Sequence, residues 1–561
     1  MKILIIGAVA AGLKSASKAR REDGKAEITV LERGKLISYG ACGMPYYVGG
    51  EVHDIKELMA TGAGNPRNAE YFKKTKNIDV HTETEAVKID RDQKMVVAKD
   101  LKTGELKNYP YDKLVIATGA SPVRPPLEGI GLRNIFTLWH PDDAAAIRLG
   151  IDAGTFKNAV IIGAGLIGME MAEALNHQGL NVTVVEMKDQ IFPAFLDEDI
   201  AAIGHKYLKT KNIQLLTGEK VEGLMGTDSV TTVKTDQREI PADLVIMAIG
   251  ARPNVGLAKD AGLTIGETGA IWVDETMRTS DPEIFAGGDC VESTNMVNRK
   301  KVFAPMGSIA NKQGRVIGEN LLGGKARFKG VASTVVVKIH DITIGKTGLS
   351  EKEAKEQGYD YVTALIAGPD RPHYMKNARP VTLKLIVDSK TQKVLGVQGI
   401  GEGEVAKRID VVAAVLNFGG TIDDLFDIDL SYAPPYNSPI DMVATAANTV
   451  MNKLAHKFTG ISAAEAKEKV EKKEAIFLDV RTPGECQNIE LECDGEICQI
   501  SLGELRERME GLDKDQEIIA FCKLGQRGYE AQCILREGNI TNVKVMEGGI
   551  IAWPYCCKSM I

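Results

Sequence analysis

Cys42 lies in the run SYGACGMPYY (38–47), a few residues after the first strand–Gly-rich loop–helix–strand pattern of the chain. The next cysteine along the sequence is Cys290, so no second thiol lies near Cys42 in sequence. A thiolate attacks a sulfur–sulfur bond to form a mixed disulfide, which a neighbouring thiol would normally resolve. The lone cysteine therefore predicts redox chemistry restricted to a mixed disulfide or a persulfide with a small molecule.

Cys522 begins a second reactive segment, CKLGQRG (522–528), after the apolar stretch EIIAF and before a helical pattern. A strand–loop–helix of this form aims successive backbone N–H groups at the sulfur, which favours a thiolate or a persulfide. Four residues separate Cys522 from Arg527, which makes the loop fit a sulfur-sized anion better than a phosphate. We predict a sulfur-transfer site here, with an inactive module as the alternative. Asp479 and Arg481, in LDVRTPGE, are expected to form a structural ion pair.

Two stretches predict nucleotide-binding units, KILIIG…AEITVLERG (2–34) and NAVIIG…LNVTVVEMK (158–188). Each combines an apolar strand, a Gly-rich turn, an Ala-rich helix and a second strand that ends in an acid. The glycines allow a tight turn and close helix packing, the helix N-terminus faces a pyrophosphate, and the acid accepts from ribose hydroxyls. The expected cofactor contacts are Gly7, Val9, Gly12, Glu32 and Arg33 in the first unit, and Gly163, Gly165, Gly168 and Glu186 in the second.

The two fingerprints differ in specificity. Val9 stands where the first fingerprint would carry its middle Gly, so that motif alone also fits a Gly-rich turn in any parallel sheet. The second fingerprint keeps all three glycines. A carboxylate at Glu186 would repel a 2′-phosphate, so the sequence favours NADH while leaving NADPH possible.

A third motif, TSDPEIFAGGDC (279–290), reads as a strand that ends in Gly-Gly-Asp. Asp289 would then face the ribityl chain of a flavin. The following stretch, KVFAPMGSIANKQGRVIGENLL, would be a helix whose positive end stabilises the reduced flavin anion. Two fingerprints and this motif, in this order, predict FAD and a nicotinamide cofactor.

Length, charge and cysteine content exclude several classes of protein. The chain has 561 residues, enough for about three or four domains, and a formal net charge of −7, which gives no reason to expect nucleic acid or an anionic membrane as a partner. Nine cysteines without a framework spacing indicate a reducing compartment. The N-terminal apolar run leads directly into a nucleotide fingerprint, which favours a buried strand over a signal peptide. No uncharged apolar run is long enough to span a membrane, and a cytoplasmic location is expected.

Alternating strand and helix patterns predict an α/β fold with two nested Rossmann-type domains, an α+β dimerisation domain and a C-terminal α/β domain. The expected FAD-binding domain covers residues 1–112 and 246–325, and the NAD-binding domain covers 113–245. The dimerisation domain is expected at 326–445, a linker at 446–461, and the last domain at 462–561.

Residues 1–445 resemble the single-cysteine branch of the flavoprotein disulfide reductases, namely CoA-disulfide reductases and NADH-dependent persulfide or polysulfide reductases. Residues 462–561 resemble a rhodanese domain. The resemblance implies FAD, NADH and coenzyme A as cofactors, Cys42 as the redox-active cysteine, and a homodimer. It also implies that Tyr374 in RPHYMKNARP and Tyr432 in DLSYAPPYNSP reach Cys42 from the other subunit as proton donors.

The same resemblance implies that basic residues on the first helix hold coenzyme A. Lys14, Lys18 and Arg21 follow one another at spacings of four and three, so they can share one helix face. That face could meet a 3′-phosphate, while a solvated basic stripe remains the alternative. Ser38 and Asn311 are further cofactor-binding residues implied by the resemblance.

These observations predict a homodimeric FAD enzyme that uses NADH to reduce sulfur–sulfur bonds of CoA disulfide, CoA persulfide or polysulfide. Cys522 would handle sulfane sulfur and pass it to Cys42 through a CoA thiol or by direct docking. One alternative is an NADH oxidase with a passenger rhodanese domain, although oxidase relatives carry a His where this chain has Ala10. A redox sensor is a third possibility. No role is assigned to Cys556 and Cys557.

Overall fold

The structure is a computed structural model that describes residues 1–555 and 557–559. It divides into two compact units. The first comprises Met1–Met187 and Glu219–Val331, and the second comprises Lys188–Gly218 and the chain from Ala332 onward. The predicted fold class, with two dinucleotide-binding sheets, a dimerisation domain and a C-terminal α/β domain, is confirmed.

The first sheet of the first unit consists of five parallel strands, and all but the edge strand Asp79–His81 are largely apolar and buried, as is typical of parallel sheets. In spatial order these strands are Ile284–Ala286, Lys113–Ile116, Lys2–Ile6, Glu27–Leu31 and Asp79–His81. The helices Ala11–Glu22 and Gly307–Asn320 pack closely on each other. A Cβ atom at Gly314 would lie 2.6 Å from the Ala11 carbonyl oxygen, so this close approach requires glycine.

The second sheet of the first unit is also parallel, in the order Asn181–Glu186, Asn158–Ile162, Leu244–Met247 and Ile135–Phe136. Along the chain, the helix Leu166–His177 follows the strand Asn158–Ile162. Two expected domain boundaries are wrong: Lys113–Ile116 belongs to the first sheet rather than to the second, and the boundary at 245/246 would cut the strand Leu244–Met247. Both segments are short apolar strands, and their sequences do not say which of two similar sheets they join.

The remaining elements of the first unit flank these sheets. Its other helices are Met44–Gly49, Ala69–Lys76, Pro141–Asp152 and Gly256–Asp260, with 3₁₀ turns at Ala41–Gly43 and Ile55–Met59. Two antiparallel sheets are formed by Thr84–Asp90, Met95–Asp100 and Leu106–Pro110, and by Val221–Gly226, Val230–Thr235 and Glu239–Pro241. The strand pairs are Ala120–Pro122 with Ala251–Pro253, and Ser293–Thr294 with Lys301–Val302.

The second unit contains a five-stranded antiparallel sheet. Its strands, in spatial order, are Val335–Ile339, Ile342–Gly348, Val394–Gly401, Pro380–Asp388 and Tyr361–Pro369. Other elements of this part are the helices Glu198–Lys209, Glu351–Glu356, Val405–Asn417, Ile422–Asp427 and Met442–Leu454 and the strand Ile213–Thr217. The expected linker at 446–461 is wrong over its first half, because Met442–Leu454 is an amphipathic helix packed on the edge strand Tyr361–Pro369.

The C-terminal part of the second unit is a parallel sheet with the strand order Gly460–Ile461, Val543–Met546, Glu517–Phe521, Ala475–Asp479 and Ile497–Gln499. Alternate residues of Glu517–Phe521 enter separate apolar cores, with Ile518 on one face and Ile519 on the other. The remaining helices are Ala463–Glu471, Pro483–Asn488, Leu505–Arg508 and Gln526–Glu537, with 3₁₀ turns at Leu502–Glu504, Met509–Gly511 and Gly549–Ala552, and Ile489–Leu491 pairs with Cys557–Ser559. Cys556 lies outside the described residues.

Candidate active sites

Cys42 lies in the 3₁₀ turn Ala41–Gly43, directly before the short helix Met44–Gly49, and its side chain reaches solvent. The surrounding protein raises the pKa of the Cys42 thiol above its ordinary value. Partial desolvation is the main cause, and the negative charges of Glu170 and Asp289 add to it. Desolvation and these two negative charges therefore disfavour the thiolate of Cys42.

Glu170 is a functional candidate that the sequence analysis missed. It lies on the helix Leu166–His177, which packs on the helix after Cys42: the Gln178 side chain donates to the Gly49 carbonyl at 2.6 Å. Burial, followed by the charge of Glu173, raises the pKa of Glu170 to about 7. A carboxyl that changes charge near neutral pH beside a thiol can hold or release a proton there. No signal in the sequence marks it, because its position depends on packing between distant segments.

The first fingerprint forms the expected cradle. Gly7 has φ 105°, and a Cβ atom there would lie 2.1 Å from the Ala117 carbonyl oxygen; at Gly12 it would lie 1.9 Å from the Gly7 carbonyl oxygen. Glu32 accepts hydrogen bonds from the backbone N–H groups of Ala8 at 2.8 Å and Gly34 at 2.7 Å. Val9 is half-buried and Arg33 is exposed. The loop backbone, rather than a side chain, is thus presented to a ligand.

The second fingerprint repeats this arrangement. Gly163 has φ 104°, and a Cβ atom at Gly168 would lie 2.0 Å from the Gly163 carbonyl oxygen. Glu186 accepts from the Ala164 backbone N–H at 2.8 Å. A Cβ atom at Gly165 would meet no atom within 4 Å, so this middle position opens onto space beside the helix N-terminus. Two such cradles fit two dinucleotides, FAD and NADH.

Asp289 follows the strand Ile284–Ala286, as predicted, and Gly288 before it has φ 84°. Burial raises the pKa of Asp289 to about 6. Its charge acts on the Cys42 thiol, so the third motif and the reactive cysteine meet in one place. A buried carboxyl beside a Gly-rich turn fits a flavin's polyol chain, because hydroxyl groups would satisfy its oxygens.

The three basic residues predicted to share a face of the helix Ala11–Glu22 have different surroundings in the structure. Lys18 is 9% exposed and forms ion pairs with Glu22 and Glu319, so its charge is already neutralised. Lys14 and Arg21 instead act electrostatically on Lys76. Together with Arg67 these residues form a cluster of four cations. Burial, then the charges of Arg21, Arg67 and Lys14, lower the pKa of Lys76. The cationic cluster therefore contains Arg67 and Lys76 in place of the predicted Lys18.

Arg67 and Lys76 were both missed by sequence analysis. Lys76 donates to the Ser17 hydroxyl at 3.0 Å. The Nε atom of Arg67 is buried and has no hydrogen-bond partner among the described residues. A cluster of cations with an unsatisfied buried donor is built to receive an anion, because binding one removes both the mutual repulsion and the unsatisfied N–H.

Ser38 and Asn311 are the two other cofactor-binding residues predicted from the sequence. Ser38 is buried with φ 53°, and its backbone N–H donates to the Ala8 carbonyl at 2.9 Å, which ties it to the first fingerprint. Asn311 is exposed on the helix Gly307–Asn320 and donates to the Gly307 carbonyl at 2.8 Å. Their roles in cofactor binding remain predictions.

Tyr374 and Tyr432 lie in two loops of the second unit and are 63% and 51% exposed. The Tyr374 ring packs edge-on against His373, with ring centroids 5.7 Å apart. Tyr436, in the same loop as Tyr432, is 67% exposed. Exposed tyrosines, which combine an apolar ring with a hydroxyl group, are common in protein interfaces.

Cys522 is 1% exposed and directly follows the strand Glu517–Phe521. The Gly525 backbone N–H donates to its sulfur at 3.1 Å, which is the predicted direction of the loop amides. Arg527 donates to the Glu485 carboxylate at 2.8 and 2.7 Å, and its pKa is raised by that pair and by Cys522. The guanidinium therefore lies between a carboxylate and the reactive sulfur.

Glu485 is a further residue that sequence analysis missed. A signal was available, since Thr482 and Glu485 form a capping box at the start of the helix Pro483–Asn488. The bond from Arg527, the largest cause, lowers the pKa of Glu485 to about 2. The predicted ion pair between Asp479 and Arg481 is confirmed, with both side chains buried and 2.7 Å between Nη2 and Oδ2.

Cys486 is not a second reactive thiol in this arrangement. Its sulfur donates to Asp479 at 3.4 Å, and burial followed by that carboxylate raises its pKa to about 11. Within residues 1–555 and 557–559, no group of three or more His, Cys, Asp or Glu could hold a metal ion. No helix in the same part of the chain has the length and hydropathy to cross a membrane.

Comparisons with known proteins show the family and the domains of the chain. The pyridine nucleotide-disulphide oxidoreductase model matches residues 1–309, its dimerisation-domain model matches 334–444, and a rhodanese-like domain model matches 462–554. The structure of an NAD-dependent persulfide reductase from A. fulgidus is 47% identical, covers 99% of this chain and all of that one, and superposes with a TM-score of 0.94.

Two further proteins support the assignment. A structure of reduced Bacillus anthracis CoADR-RHD is 35% identical, covers 98% of this chain and 97% of that chain, and gives a TM-score of 0.91. The NAD(P)H coenzyme A polysulfide/persulfide reductase of Pyrococcus horikoshii is 40% identical over 78% of this chain and 95% of that protein. The resemblance stated from the motifs is thereby confirmed, and the chain belongs to the pyridine nucleotide-disulphide oxidoreductase family, with a rhodanese-like domain at its C-terminus.

Proposed function

We propose that this chain is an FAD-dependent oxidoreductase that uses NADH to reduce the sulfur–sulfur bonds of CoA disulfide, CoA persulfide or polysulfide through Cys42. One observation carries the proposal: the Cys42 thiol is influenced by Glu170 and Asp289 together. Glu170 belongs to the helix of the nicotinamide fingerprint and Asp289 to the flavin motif. A single sulfur near both dinucleotide motifs is placed to receive, through FAD, the electrons that NADH supplies.

The reaction balances as NADH plus a proton plus R–S–S–R′ giving NAD⁺, RSH and R′SH. FAD, when bound, supplies the two-electron carrier between the nicotinamide and the sulfur. Cys42 attacks one sulfur of the substrate, so a Cys42–S–R bond forms while the S–S bond breaks and R′S⁻ leaves. Glu170, with a pKa of about 7, can hold a proton beside Cys42 in this cycle.

The departing thiolate needs a proton, and Tyr374 and Tyr432 are the proposed donors. Both are exposed in the dimerisation domain, as donors that act on a partner subunit would have to be. The proposed enzyme is therefore a homodimer in which each active site is completed by the other protomer. No nucleic acid or membrane takes part in the proposed reaction.

Coenzyme A is proposed to bind the cluster of Lys14, Arg21, Arg67 and Lys76 through its phosphate groups. The unpartnered Nε of Arg67 and the lowered pKa of Lys76 both favour an anion at this place. Ser38 and Asn311 are kept as cofactor contacts. Lys18, which is held by two carboxylates, orients the helix rather than meeting the phosphate.

The rhodanese-like domain is proposed to carry sulfane sulfur as a Cys522 persulfide, stabilised by the loop amides and by Arg527. The sulfur then reaches Cys42 through a CoA thiol or by direct docking. Nine cysteines without a framework spacing support the reducing, cytoplasmic compartment proposed for such a carrier.

The test compares Cys42→Ser, Cys522→Ser and the surface control Cys533→Ser in the full-length holoenzyme. NADH oxidation and thiol release are followed with CoA disulfide, and sulfide release with polysulfide. Cys42→Ser should abolish both, Cys522→Ser should lower only the polysulfide reaction, and Cys533→Ser should change neither. CoA disulfide reduction by Cys42→Ser would refute the proposal, and unchanged polysulfide turnover by Cys522→Ser would refute the relay.

A further inference from the structure

Two irregular loops of the second unit each carry one proposed proton donor. Residues 370–379 connect the strands Tyr361–Pro369 and Pro380–Asp388 and contain Tyr374. Residues 428–441 connect the helices Ile422–Asp427 and Met442–Leu454 and contain Tyr432. Loops without a ladder of backbone hydrogen bonds take their position from side-chain contacts.

Arg371 joins the two loops directly. Its Nη1 atom donates to the Pro435 carbonyl in the second loop at 2.8 Å. Its Nε and Nη2 atoms donate to the Asp370 carboxylate in the first loop at 3.1 and 2.7 Å. The same carboxylate accepts from the Arg379 backbone N–H at 3.0 Å, which closes the first loop on itself. One guanidinium therefore fixes the separation of the loops.

Arg408 makes a second, deeper connection from the helix Val405–Asn417, and it is 1% exposed. Its Nη2 atom donates to the Asp370 carbonyl at 2.7 Å and to the Asn437 side chain at 3.1 Å, so it too reaches both loops. Its Nε atom donates to Asp441 at 3.1 Å. The planar guanidinium presents five donors in fixed directions, which a lysine ammonium cannot reproduce.

We infer that Arg371 and Arg408 are positioning residues that hold the Tyr374 and Tyr432 loops as one rigid unit, so that both hydroxyl groups arrive together at the sulfur substrate of the partner subunit. The inference rests on the proposed function of the two tyrosines. The tyrosine side chains are exposed while the arginines beneath them are buried, so the loops are ordered before any substrate binds. Misplacement of a proton donor by about 1 Å can cost about a hundredfold in rate.

The test uses Arg371→Lys, which keeps the charge but loses the forked geometry. With CoA disulfide, kcat should fall about tenfold to a hundredfold, as expected for a misplaced donor. The KM for NADH and the rate of flavin reduction by NADH should not change, because the tyrosines act only on the sulfur substrate. Arg379→Lys is the matched control, since Arg379 is exposed and its side chain donates to carbonyls of its own loop and pairs with the exposed Glu402, outside the second loop.

A double-mutant cycle separates this inference from the proposed function. If Tyr374→Phe and Tyr432→Phe leave turnover intact, the proposed donors are wrong. If the tyrosine variants lose activity, Arg371→Lys should cost less than about twofold further in the doubly substituted Phe background, because nothing is left to position. A fully additive loss, or normal turnover in Arg371→Lys, would overturn the inference.

Hydrogen exchange on the wild-type dimer provides a test that does not depend on a folded variant. The hydrogen-bonded amides of Met375 and Arg379 in the first loop and of Tyr436 and Asn437 in the second should exchange together, through one shared opening. Exchange rates of the two loops that differ by more than about tenfold would contradict the proposed rigid unit.

Discussion

Arg527 forms a two-point ion pair with Glu485, with N–O distances of 2.8 and 2.7 Å. The pair joins the first residues of the helix after Cys522 to the helix Pro483–Asn488. Because a guanidinium matches a carboxylate in a parallel, planar arrangement, Glu485 fixes both the position and the orientation of Arg527. The arginine is thereby kept beside the Cys522 sulfur.

Glu485→Gln should therefore weaken sulfur transfer. Loss of one charge-assisted bond costs roughly 1.5 kcal/mol, so the rate of sulfur transfer from thiosulfate to cyanide should fall about tenfold. NADH-dependent reduction of CoA disulfide is the internal control and should not change. Glu504→Gln is the matched variant, because Glu504 pairs with Arg508 on the surface of the same domain. Equal effects of the two substitutions would contradict this role of Glu485.

The same pair should give the rhodanese-like domain a defined acid sensitivity. The pKa of Glu485 is about 2 in the folded chain, below the ordinary value of 4.5. A carboxyl with a lowered folded pKa stabilises the fold above its unfolded pKa, and this contribution is lost as the pH falls from about 4.5 to about 2. The difference in unfolding midpoint between wild type and Glu485→Gln should be constant from pH 7 to pH 5 and shrink below about pH 4.5. A difference that persists unchanged at pH 2.5 would exclude this ion pair as its source.

Glu170 should control the ionisation of Cys42. A negative charge beside a thiol disfavours the thiolate, so Glu170→Gln should lower the pKa of Cys42. Glu173→Gln should act in the opposite direction at neutral pH, because removal of Glu173 lowers the pKa of Glu170 and leaves it more fully charged. The measurement is the rate of Cys42 alkylation as a function of pH. Shifts of the same sign in the two variants would refute the coupling.

The sequence predicted those features whose residues are close together along the chain. The fingerprint glycines, the Cys522–Arg527 loop and the Asp479–Arg481 pair each lie within one strand–loop–helix segment, where local geometry decides the structure. It failed where distant segments meet. Glu170 reaches Cys42 only through helix packing, and Lys18 is neutralised in part by Glu319, which helical spacing along its own segment cannot show.

Domain boundaries were missed for a related reason. Lys113–Ile116 and Leu244–Met247 are both short, fully apolar or nearly apolar strands, and each would fit either parallel sheet. Their assignment depends on which neighbouring strand they pair with, which is a long-range choice. A linker was expected at 446–461, but residues 446–454 belong to the helix Met442–Leu454, which packs on an edge strand distant in sequence.

Arg67 should contribute to the recognition of a phosphate group on coenzyme A. Arg67→Met should raise the KM for CoA disulfide about tenfold, because a hydrogen bond between charged groups contributes roughly 1.5–3 kcal/mol. Without added CoA, the KM for polysulfide, which lacks this phosphate, should not change. Lys73→Met is the control, since Lys73 is exposed and pairs with Asp79.

The substrate can be varied as well as the protein. If Arg67 binds the 3′-phosphate, wild type should prefer CoA disulfide to the disulfide of dephospho-CoA, and Arg67→Met should lose most of that preference. A variant that discriminates between the two disulfides as well as wild type does would assign Arg67 to another part of the ligand.

Glu547 should couple the Cys522 loop to the dimerisation domain. Its Oε2 atom accepts from the Leu365 backbone N–H at 2.9 Å, and its Oε1 atom pairs with Lys453; the two side chains are 11% and 15% exposed. A few residues later, the Ile550 and Ile551 backbone N–H groups donate to the Cys522 and Lys523 carbonyls at 3.0 and 3.2 Å. The segment 547–551 thus begins at a buried ion pair and ends at the two amides that bind the Cys522 loop.

Glu547→Gln leaves Lys453 charged in a mostly buried place and should weaken local structure by about 2 kcal/mol, less than the full cost of an unpaired buried charge. The amides of Ile550 and Ile551 should then exchange about thirtyfold faster, since 1.4 kcal/mol corresponds to a factor of ten in an opening equilibrium.

The double variant Lys453→Met, Glu547→Gln should recover part of the protection, because the unpaired charge is gone. Glu402→Gln, which breaks an exposed pair with Arg379, should leave these amides unchanged. If the double variant exchanges faster than Glu547→Gln alone, the ion pair is not what holds the sulfur loop, and simple packing of Gly548 and Gly549 against their neighbours would account for its position.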